Sequence, residues 1–537
     1  MKECVIIDGI RSANARAHKD KGWFRNVRPE DLLIKVYEAL FERNPKVKPE
    51  DIDAVFCGTA NQSGMQNDIA RVAWLAGGFP ESVAANGVGQ QCCSGMAATE
   101  HAARAIMCGE GDIYIASGVE DMQKVPMMFG MDMTPRLLDR YSMDDIPMGA
   151  TAEKVAERWK VERVDMENMA FWSNKKAAEA RDAGKFAQEI IPIEGEEEDG
   201  TKFMVDCDQW IRDNVSMEQM ATMKSPFKEN GIVTAAVSSP LTAGAAAMLL
   251  MSRDKADELG LDYHLKYVHG AMAGCDPTMM GIGPIAAAKK LLERTGKTVK
   301  DIGVWELNEA FGSQSLAVVR DLGIAENAPF DNVNVWGGAL ALGHPLGESG
   351  LRIIVTLNNV MKTDFNDAKY GVAMLCGGFG NANASPQGIE FKRQVIKNYE
   401  EDGMSNSLVN TRDQRFVLYE QIGIEKLFQY EKYADYSMDM VDMVLTEGEK
   451  FALEEILPTY EIADKEDPAV FTDGNAHAPK CFHKPFKNLR EAGWFCPIFP
   501  VEVGGQGMPQ VIYSANSEMF GSANYAFMMY VGLTLGA

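Results

Sequence analysis

"GQQCCSGMAATEHAARAIMCGEGDIYIASG", residues 89–118, sets two adjacent cysteines before Ser94, Gly95 and a run of small residues. The small residues predict a helix from Cys92 to about Cys108, and "DIYIASG" (112–118) predicts the strand after it. Upstream, "DIDAVFCG" (51–58) reads as another strand. A thiol at the start of a helix has a chemical use, because the free N–H groups and the positive helix end favour thiolate over thiol. Taken singly, a buried structural cysteine explains the same residues.

A second stretch repeats this order of parts with different residues. "DIGVWELNEAF" (301–311) reads as strand, "HPLGESGLRIIVTLNNVMK" (344–362) as helix and "YGVAMLCGG" (370–378) as strand. Mixed apolar strands of this kind suit sheets covered on both faces, so a duplicated α/β core is expected. Between the halves, about 120–230 is richer in charge and methionine and reads as an inserted subdomain of helix and loop. "GIVTAAVSSPLTAGAAAMLLMS" (231–252) reads as a return to the first half through a strand and a buried helix. The expected division is therefore 1–262 with its insert, 263–392, a polar linker at 393–403, and a mostly helical fragment at 404–537.

Bulk properties narrow the function. The net charge of −24 disfavours nucleic acid and anionic membrane surfaces, although an anionic ligand can still bind in a locally basic pocket. Ten cysteines without CxxC spacing fit reduced thiols in the cytoplasm better than a disulfide framework or a zinc site. Cys481-Phe-His483 comes nearest to metal spacing, and no metal site is expected. No basic region leads into an apolar stretch at the start, and no uncharged run is long enough to cross a bilayer.

The candidate chemistry lies in four places. Cys92 is the candidate nucleophile. His344, set among glycines in "NVNVWGGALALGHPLGESG", is the best candidate base among seven histidines, and a loop histidine merely satisfied by hydrogen bonds is the alternative. Asn308 in "ELNEAFGSQS" is a neutral amide suited to polarising a carbonyl. "MLCGGFGN" sets Cys376 at a strand end, before glycines such as Gly378 whose N–H groups can form an oxyanion site. The GGFG run is a poor dinucleotide fingerprint, since loop and strand rather than a helix follow it.

At these four places, across about 1–392, the chain resembles the thiolase family. The family's Cys-x-Ser-Gly pattern fits Cys92-Cys93-Ser94-Gly95 and selects Cys92; NEAF falls at Asn308–Phe311, GHP at Gly343–Pro345 and Cys-x-Gly at Cys376–Gly378. The resemblance implies a five-layered αβαβα fold and reversible thiolytic cleavage of 3-ketoacyl-CoA through an acyl group on Cys92. His344 would be the base and Cys376 the acid. His344 with a water held by Asn308 would form one oxyanion hole, and the N–H groups of Cys92 and Gly378 the other. Met148 and Ser239 fall where the family contacts pantetheine. CoA and acyl-CoA are then substrates and no cofactor is implied; a homodimer or homotetramer follows, and "SSPLTAGA" leans toward fatty-acid β-oxidation. The chain departs from the pattern at Gly89 and Val237, where asparagine is usual, at Ala243, where aspartate is usual, and at Phe379, where glycine is typical.

Residues 404–537 are similar to the start of acyl-CoA dehydrogenases of the N-terminally extended type, in "MSNSLVNTRDQRFVLYEQIGIEKLF", "AGWFCPIFPVEVGGQGMPQ" and "SEMFGSANYAFMMYVGLTLGA". Met404 resembles the first residue of such a protein, which suggests two neighbouring coding regions joined by genuine fusion or by a sequence error, the second truncated. The resemblance stops short of that family's flavin-binding parts, so FAD is not expected. The apolar ending "YAFMMYVGLTLGA" is expected to lack a packing partner. Two alternatives stand beside the thiolase reading. One is a condensing enzyme of the ketoacyl-synthase kind, which pairs its cysteine with two histidines or a histidine and an asparagine. The other is a silenced thiolase-like scaffold that binds a β-oxidation partner enzyme.

Overall fold

Strand formation begins almost at once. "CVIIDGIR" is apolar over its first half and is buried along nearly all of its length, and it forms β1 (Cys4–Arg11). The computed structural model describes residues 2–389 and 411–535, apart from 466, 473 and 496. Residues Met1–Val395 and Ile396–Ala537 form two compact units. The expected linker at 393–403 and Met404 lie outside the described residues.

In the first unit, α1 (Pro29–Arg43) starts with proline at its first position and Glu30 and Asp31 in its first turn, as a helix N-terminus favours. β2 (Ala54–Gly58), α2 (Ile69–Ala76), β3 (Ala84–Val88), α3 (Ser94–Cys108) and β4 (Ile113–Asp121) follow. The insert then contributes α4 (Met148–Trp159) and α5 (Arg163–Asp182), together with an antiparallel hairpin of Ile193–Glu196 and Lys202–Val205. The chain returns as β5 (Thr242–Ser252) and β6 (Leu265–Tyr267). The second half is built from α6 (Gly283–Thr295), β7 (Val304–Leu307), α7 (Gly312–Asp321), α8 (Leu346–Lys362), β8 (Tyr370–Gly377) and β9 (Asn381–Ile389).

The strands run in the order β7-β8-β9-β6-β1-β5-β4-β2-β3. In the first half β2 lies parallel to β4, and β4 lies antiparallel to β5. In the second, β7 lies parallel to β8, and β8 lies antiparallel to β9. One inner helix precedes the middle strand each time, α3 before β4 and α8 before β8. The two halves are therefore versions of one unit, and β6 joins them by pairing with both β1 and β9. Helices α3 and α8 pack on each other between the two strand sets, with α1 and α2 against the outer face of the first and α6 and α7 outside the second. The result is an αβαβα arrangement.

The α3–α8 contact is very close. A Cβ on Gly95 would meet the Gly347 carbonyl oxygen at 2.7 Å, and one on Gly350 would meet the Met96 nitrogen at 2.6 Å. Only glycine permits this approach of backbones. It draws the first turns of both helices, and the loops ahead of them, into one place.

One expectation needs correction. Residues 242–252 form a strand, not a strand followed by a buried helix. All eleven residues of β5 are buried, because the strand lies between β1 and β4 with both faces covered. Such a run carries no alternation, and its alanines, leucines and methionines are also good helix formers.

The second unit is mostly helical and includes Met438–Phe451, Gln510–Ala523 and Tyr525–Leu535. The apolar ending does have a packing partner. Phe527 and Val531 are buried in a core with Leu445, Ile456, Leu489 and Phe520, and the Phe527 ring meets Phe482 edge-on at 5.3 Å. Its length and apolar character alone did not reveal that contact.

Candidate active site

Ser94 shapes the nucleophile loop. Its hydroxyl accepts the Gln90 N–H at 2.8 Å and donates to the Gln91 carbonyl at 2.6 Å. These bonds close a tight turn with Gln91 at φ +53°. Cys92 and Cys93 leave this turn in different directions. The Cys93 sulfur is fully buried and donates to the Leu375 carbonyl in β8 at 3.8 Å; a Cβ on Gly377 would come within 3.0 Å of it. Cys93 is thus a packing residue. The backbone N–H of Gly378 is near enough to the Cys92 sulfur to favour its thiolate form.

The electrostatics of Cys92 differ from what its place before a helix suggests. Cys92 is 3% exposed, and burial pushes its thiol up to about 12 despite the Gly378 N–H. Cys376, also buried, is close enough to interact with it electrostatically and is pushed up for the same reason. The helix end is therefore outweighed by desolvation, and the resting sulfur is a thiol.

His344 precedes α8 on a loop that requires Gly343, which sits at φ +94° with its Cα against Thr242. Its Nδ1 lies 2.7 Å from the Ser349 hydroxyl, which donates to the Pro345 carbonyl at 2.9 Å. With its proton committed there, Ser349 can only accept from His344, so Nδ1 carries the ring hydrogen and Nε2 keeps its lone pair. Asn308 Nδ2 faces that Nε2 at 3.4 Å. Burial, reinforced by the Arg352 charge, lowers His344 to about 3. The imidazole is neutral and oriented as a proton acceptor.

Two buried carboxylates brace this geometry. Glu309 accepts from Ser173 at 2.7 Å, from Asn334 at 2.7 Å and from the Leu340 N–H at 3.1 Å. It thereby ties the NEAF loop to the glycine-rich segment ahead of His344. Glu120, at the end of β4, accepts the N–H groups of Ala60 at 2.7 Å and Gly347 at 2.9 Å. It anchors the N-terminus of α8, and burial pushes its carboxyl up to about 7.

The structure gathers Asn308 with His344, and Cys92 with Cys376 and Gly378. The Gly95–Gly347 contact joins the helices that follow the two groups, three residues beyond Cys92 and three beyond His344. Ser239 adjoins both loops: its N–H meets the Ala310 carbonyl at 3.0 Å, and the next residue, Pro240, accepts the His344 N–H at 3.3 Å. Met148 is placed apart from these contacts, at the start of α4 in the insert and half-buried against the second core. The lysines near 175 and 185 are engaged within the fold: Lys175 lies over Trp172 and Lys185 pairs with Asp364. Sequence reading missed Ser349, Glu309 and Glu120; Ser349, five residues after His344, is the one a helical reading of "HPLGES" could have placed near the ring.

Residues 4–254 match the family profile of the thiolase N-terminal domain, and residues 262–386 match that of the thiolase C-terminal domain. A 3-ketoacyl-CoA thiolase of Marinomonas sp. (strain MWYL1) is 44% identical over 385 residues, which span 71% of this chain and 97% of that protein. One from Marinobacter nauticus is 42% identical over 389 residues, 72% of this chain and 97% of its own. Among solved structures, the Bacillus anthracis acetyl-CoA acetyltransferase superposes with a TM-score of 0.65 at 32% identity, covering 73% of this chain and 99% of that one. The dimeric peroxisomal thiolase of Saccharomyces cerevisiae gives 0.65 at 34% identity, with 72% and 98% covered. With both thiolase profiles matched and these relatives covered over almost their whole length, the chain belongs to the thiolase family.

Proposed function

We propose that this chain is a 3-ketoacyl-CoA thiolase, an acyltransferase that cleaves 3-ketoacyl-CoA with CoA to give acetyl-CoA and a shortened acyl-CoA, and runs in reverse as a condensation. The observation that carries this reading is the matched pair of neutral groups: a buried Cys92 thiol near the Gly378 N–H, and a buried His344 whose unprotonated Nε2 faces the Asn308 amide. Relatives named 3-ketoacyl-CoA thiolase support it.

In the first half-reaction His344 Nε2 takes the Cys92 proton as the sulfur attacks the 3-keto carbon. A neutral pair becomes an ion pair only while the substrate's developing oxyanion is there to meet the new imidazolium N–H. The Asn308 Oδ1 atom is buried without a hydrogen-bond partner, so it can hold a water that donates to the same oxyanion. The C2–C3 bond then breaks, Cys376 gives its proton to the acetyl-CoA enolate, and the acyl group remains on Cys92. In the second half-reaction Cys376 takes the proton of incoming CoA, whose sulfur attacks the acyl thioester; the N–H groups of Cys92 and Gly378 receive that oxyanion. The bond from the acyl carbon to Cys92 breaks to release the shortened acyl-CoA, and the Cys92 thiolate takes back its proton from the His344 imidazolium. Met148 and Ser239 contact pantetheine. Ser349 is a positioning residue, holding the ring and its tautomer.

The substrates are CoA thioesters and no cofactor is required. The enzyme acts as a homodimer or homotetramer in the cytoplasm, in fatty-acid β-oxidation. Among the described residues no helix is long and apolar enough to cross a membrane. Residues 404–537 are the N-terminal helical part of an acyl-CoA dehydrogenase, fused to the thiolase and without flavin chemistry. The test is activity of the purified full chain: CoA-dependent cleavage of acetoacetyl-CoA is expected, whereas condensation that requires malonyl thioesters would favour the ketoacyl-synthase reading. Inertness toward both would favour the scaffold.

A further inference from the structure

A cleft of about 390 Å³ opens beside the nucleophile loop, walled by Gln62, Gly89, Gln90, Gln91, Phe379 and Asn381. Two of the departures from the thiolase pattern, Gly89 and Phe379, stand in this one wall. A Cβ on Gly89 would lie 3.2 Å from Gln62 Nε2, so an asparagine there would fill space that glycine leaves open. Phe379 adopts φ +60°, a left-handed conformation that is unfavourable for phenylalanine and natural for glycine. A residue kept in that conformation puts a ring in the wall where the pattern would leave none.

The wall adjoins the reacting centre through the chain itself. Gln91 precedes Cys92, and Phe379 follows Gly378, whose N–H is near enough to the Cys92 sulfur to influence its ionisation. The remaining side chains of the wall are the Ala60 methyl and four uncharged amides, Gln62, Gln90, Gln91 and Asn381. Two of these amides are held in place: Gln90 Oε1 accepts from Asn383 at 3.2 Å, and Asn381 Nδ2 donates to the Gly378 carbonyl at 3.2 Å. Gln62 is exposed at the rim.

We propose that this cleft receives the acyl end of the substrate and favours 3-ketoacyl thioesters that carry an uncharged hydrogen-bonding group, such as a hydroxyl, over plain alkyl chains of equal length. The proposal rests on the thiolase reading above. A plain chain laid over the amides would displace their water and return no hydrogen bond, whereas a hydroxyl restores one. Phe379 offers a flat apolar face to the methylenes in between.

The experiment compares kcat/KM for thiolysis of acetoacetyl-CoA, 3-ketohexanoyl-CoA and 6-hydroxy-3-ketohexanoyl-CoA by the full chain and by its Gln62→Leu and Phe379→Gly variants. The wild type is expected to prefer the hydroxylated substrate by about tenfold, the worth of one good neutral hydrogen bond. Gln62→Leu should bring the two six-carbon substrates within about twofold of each other, with acetoacetyl-CoA turnover unchanged. Equal rates on both six-carbon substrates, with acetoacetyl-CoA cleaved, overturn the proposal alone. So does a preference that survives in both variants. Failure of the wild type to cleave acetoacetyl-CoA overturns the thiolase reading and this proposal with it.

Discussion

Replacing Ser349 with alanine removes one oxygen and tests the orientation of His344 without touching substrate. In the resting enzyme that oxygen accepts the Nδ1 hydrogen at 2.7 Å, in a site where His344 is 4% exposed and Ser349 is fully buried. No water can replace it without a cavity to hold one. During attack by Cys92 the ring becomes a cation, already disfavoured by burial and by Arg352, and the bond to Ser349 becomes charge-assisted. A hydrogen bond to a charged group contributes about 1.5–3 kcal/mol. Losing it in the transition state should lower kcat by roughly 10- to 150-fold. KM should hardly move, since Ser349 contacts the imidazole and not the thioester. The assay is steady-state thiolysis of acetoacetyl-CoA, with a melting curve to show that the variant remains folded. A folded Ser349→Ala enzyme with kcat within about twofold of wild type would refute the assigned tautomer and the role of Ser349.

Three other outcomes follow from the same geometry. Alkylation of Cys92 by iodoacetamide should be slow at neutral pH and rise about tenfold per pH unit through pH 9, because burial holds the thiol near 12; a plateau below pH 8 would show a preformed thiolate. Glu348 is fully buried and raised from 4.5 to about 7 by burial, so the folded state binds its proton more tightly than the unfolded state does. The stability this gives is complete below about pH 4.5 and is lost as pH rises through about 7. Glu348→Gln should therefore unfold at a higher denaturant midpoint than wild type at pH 8, by about 1–3 kcal/mol, and should lose that advantage near pH 5. Gly95→Ala puts a methyl group 2.7 Å from the Gly347 carbonyl and should cost about 1–3 kcal/mol in stability, with a parallel fall in kcat; unchanged melting would mean that the α3–α8 contact is looser than described.

The candidate positions stood out because each has an uncommon residue in a local setting: Cys92 before Ser94-Gly95, His344 among glycines, Cys376 at a strand end. What holds them could not. Glu309 reaches Ser173 and Asn334, and Glu120 reaches Gly347; partners so distant along the chain leave no local pattern, and an isolated glutamate usually reads as surface. Desolvation was equally hidden. The helix end near Cys92 is visible in the residues, but the burial that overrides it comes from β4 and α8 packed on α3 and from β8 against Cys93. The β5 strand was misread because full burial on both faces erases the alternation that identifies a strand. The duplication was legible because each half keeps one order of parts, while the joining strand β6 is three residues long and too short to stand out.

The most direct test is to find the sulfur that bears the acyl group. Acetoacetyl-CoA mixed with the full chain without free CoA, quenched in acid and digested, yields a peptide containing both Cys92 and Cys93, and fragmentation mass spectrometry separates the two. The account predicts acetylation of Cys92 alone, removed on adding CoA and abolished in His344→Ala. A label on Cys93, or no covalent acyl group in an enzyme that still turns over, would contradict it.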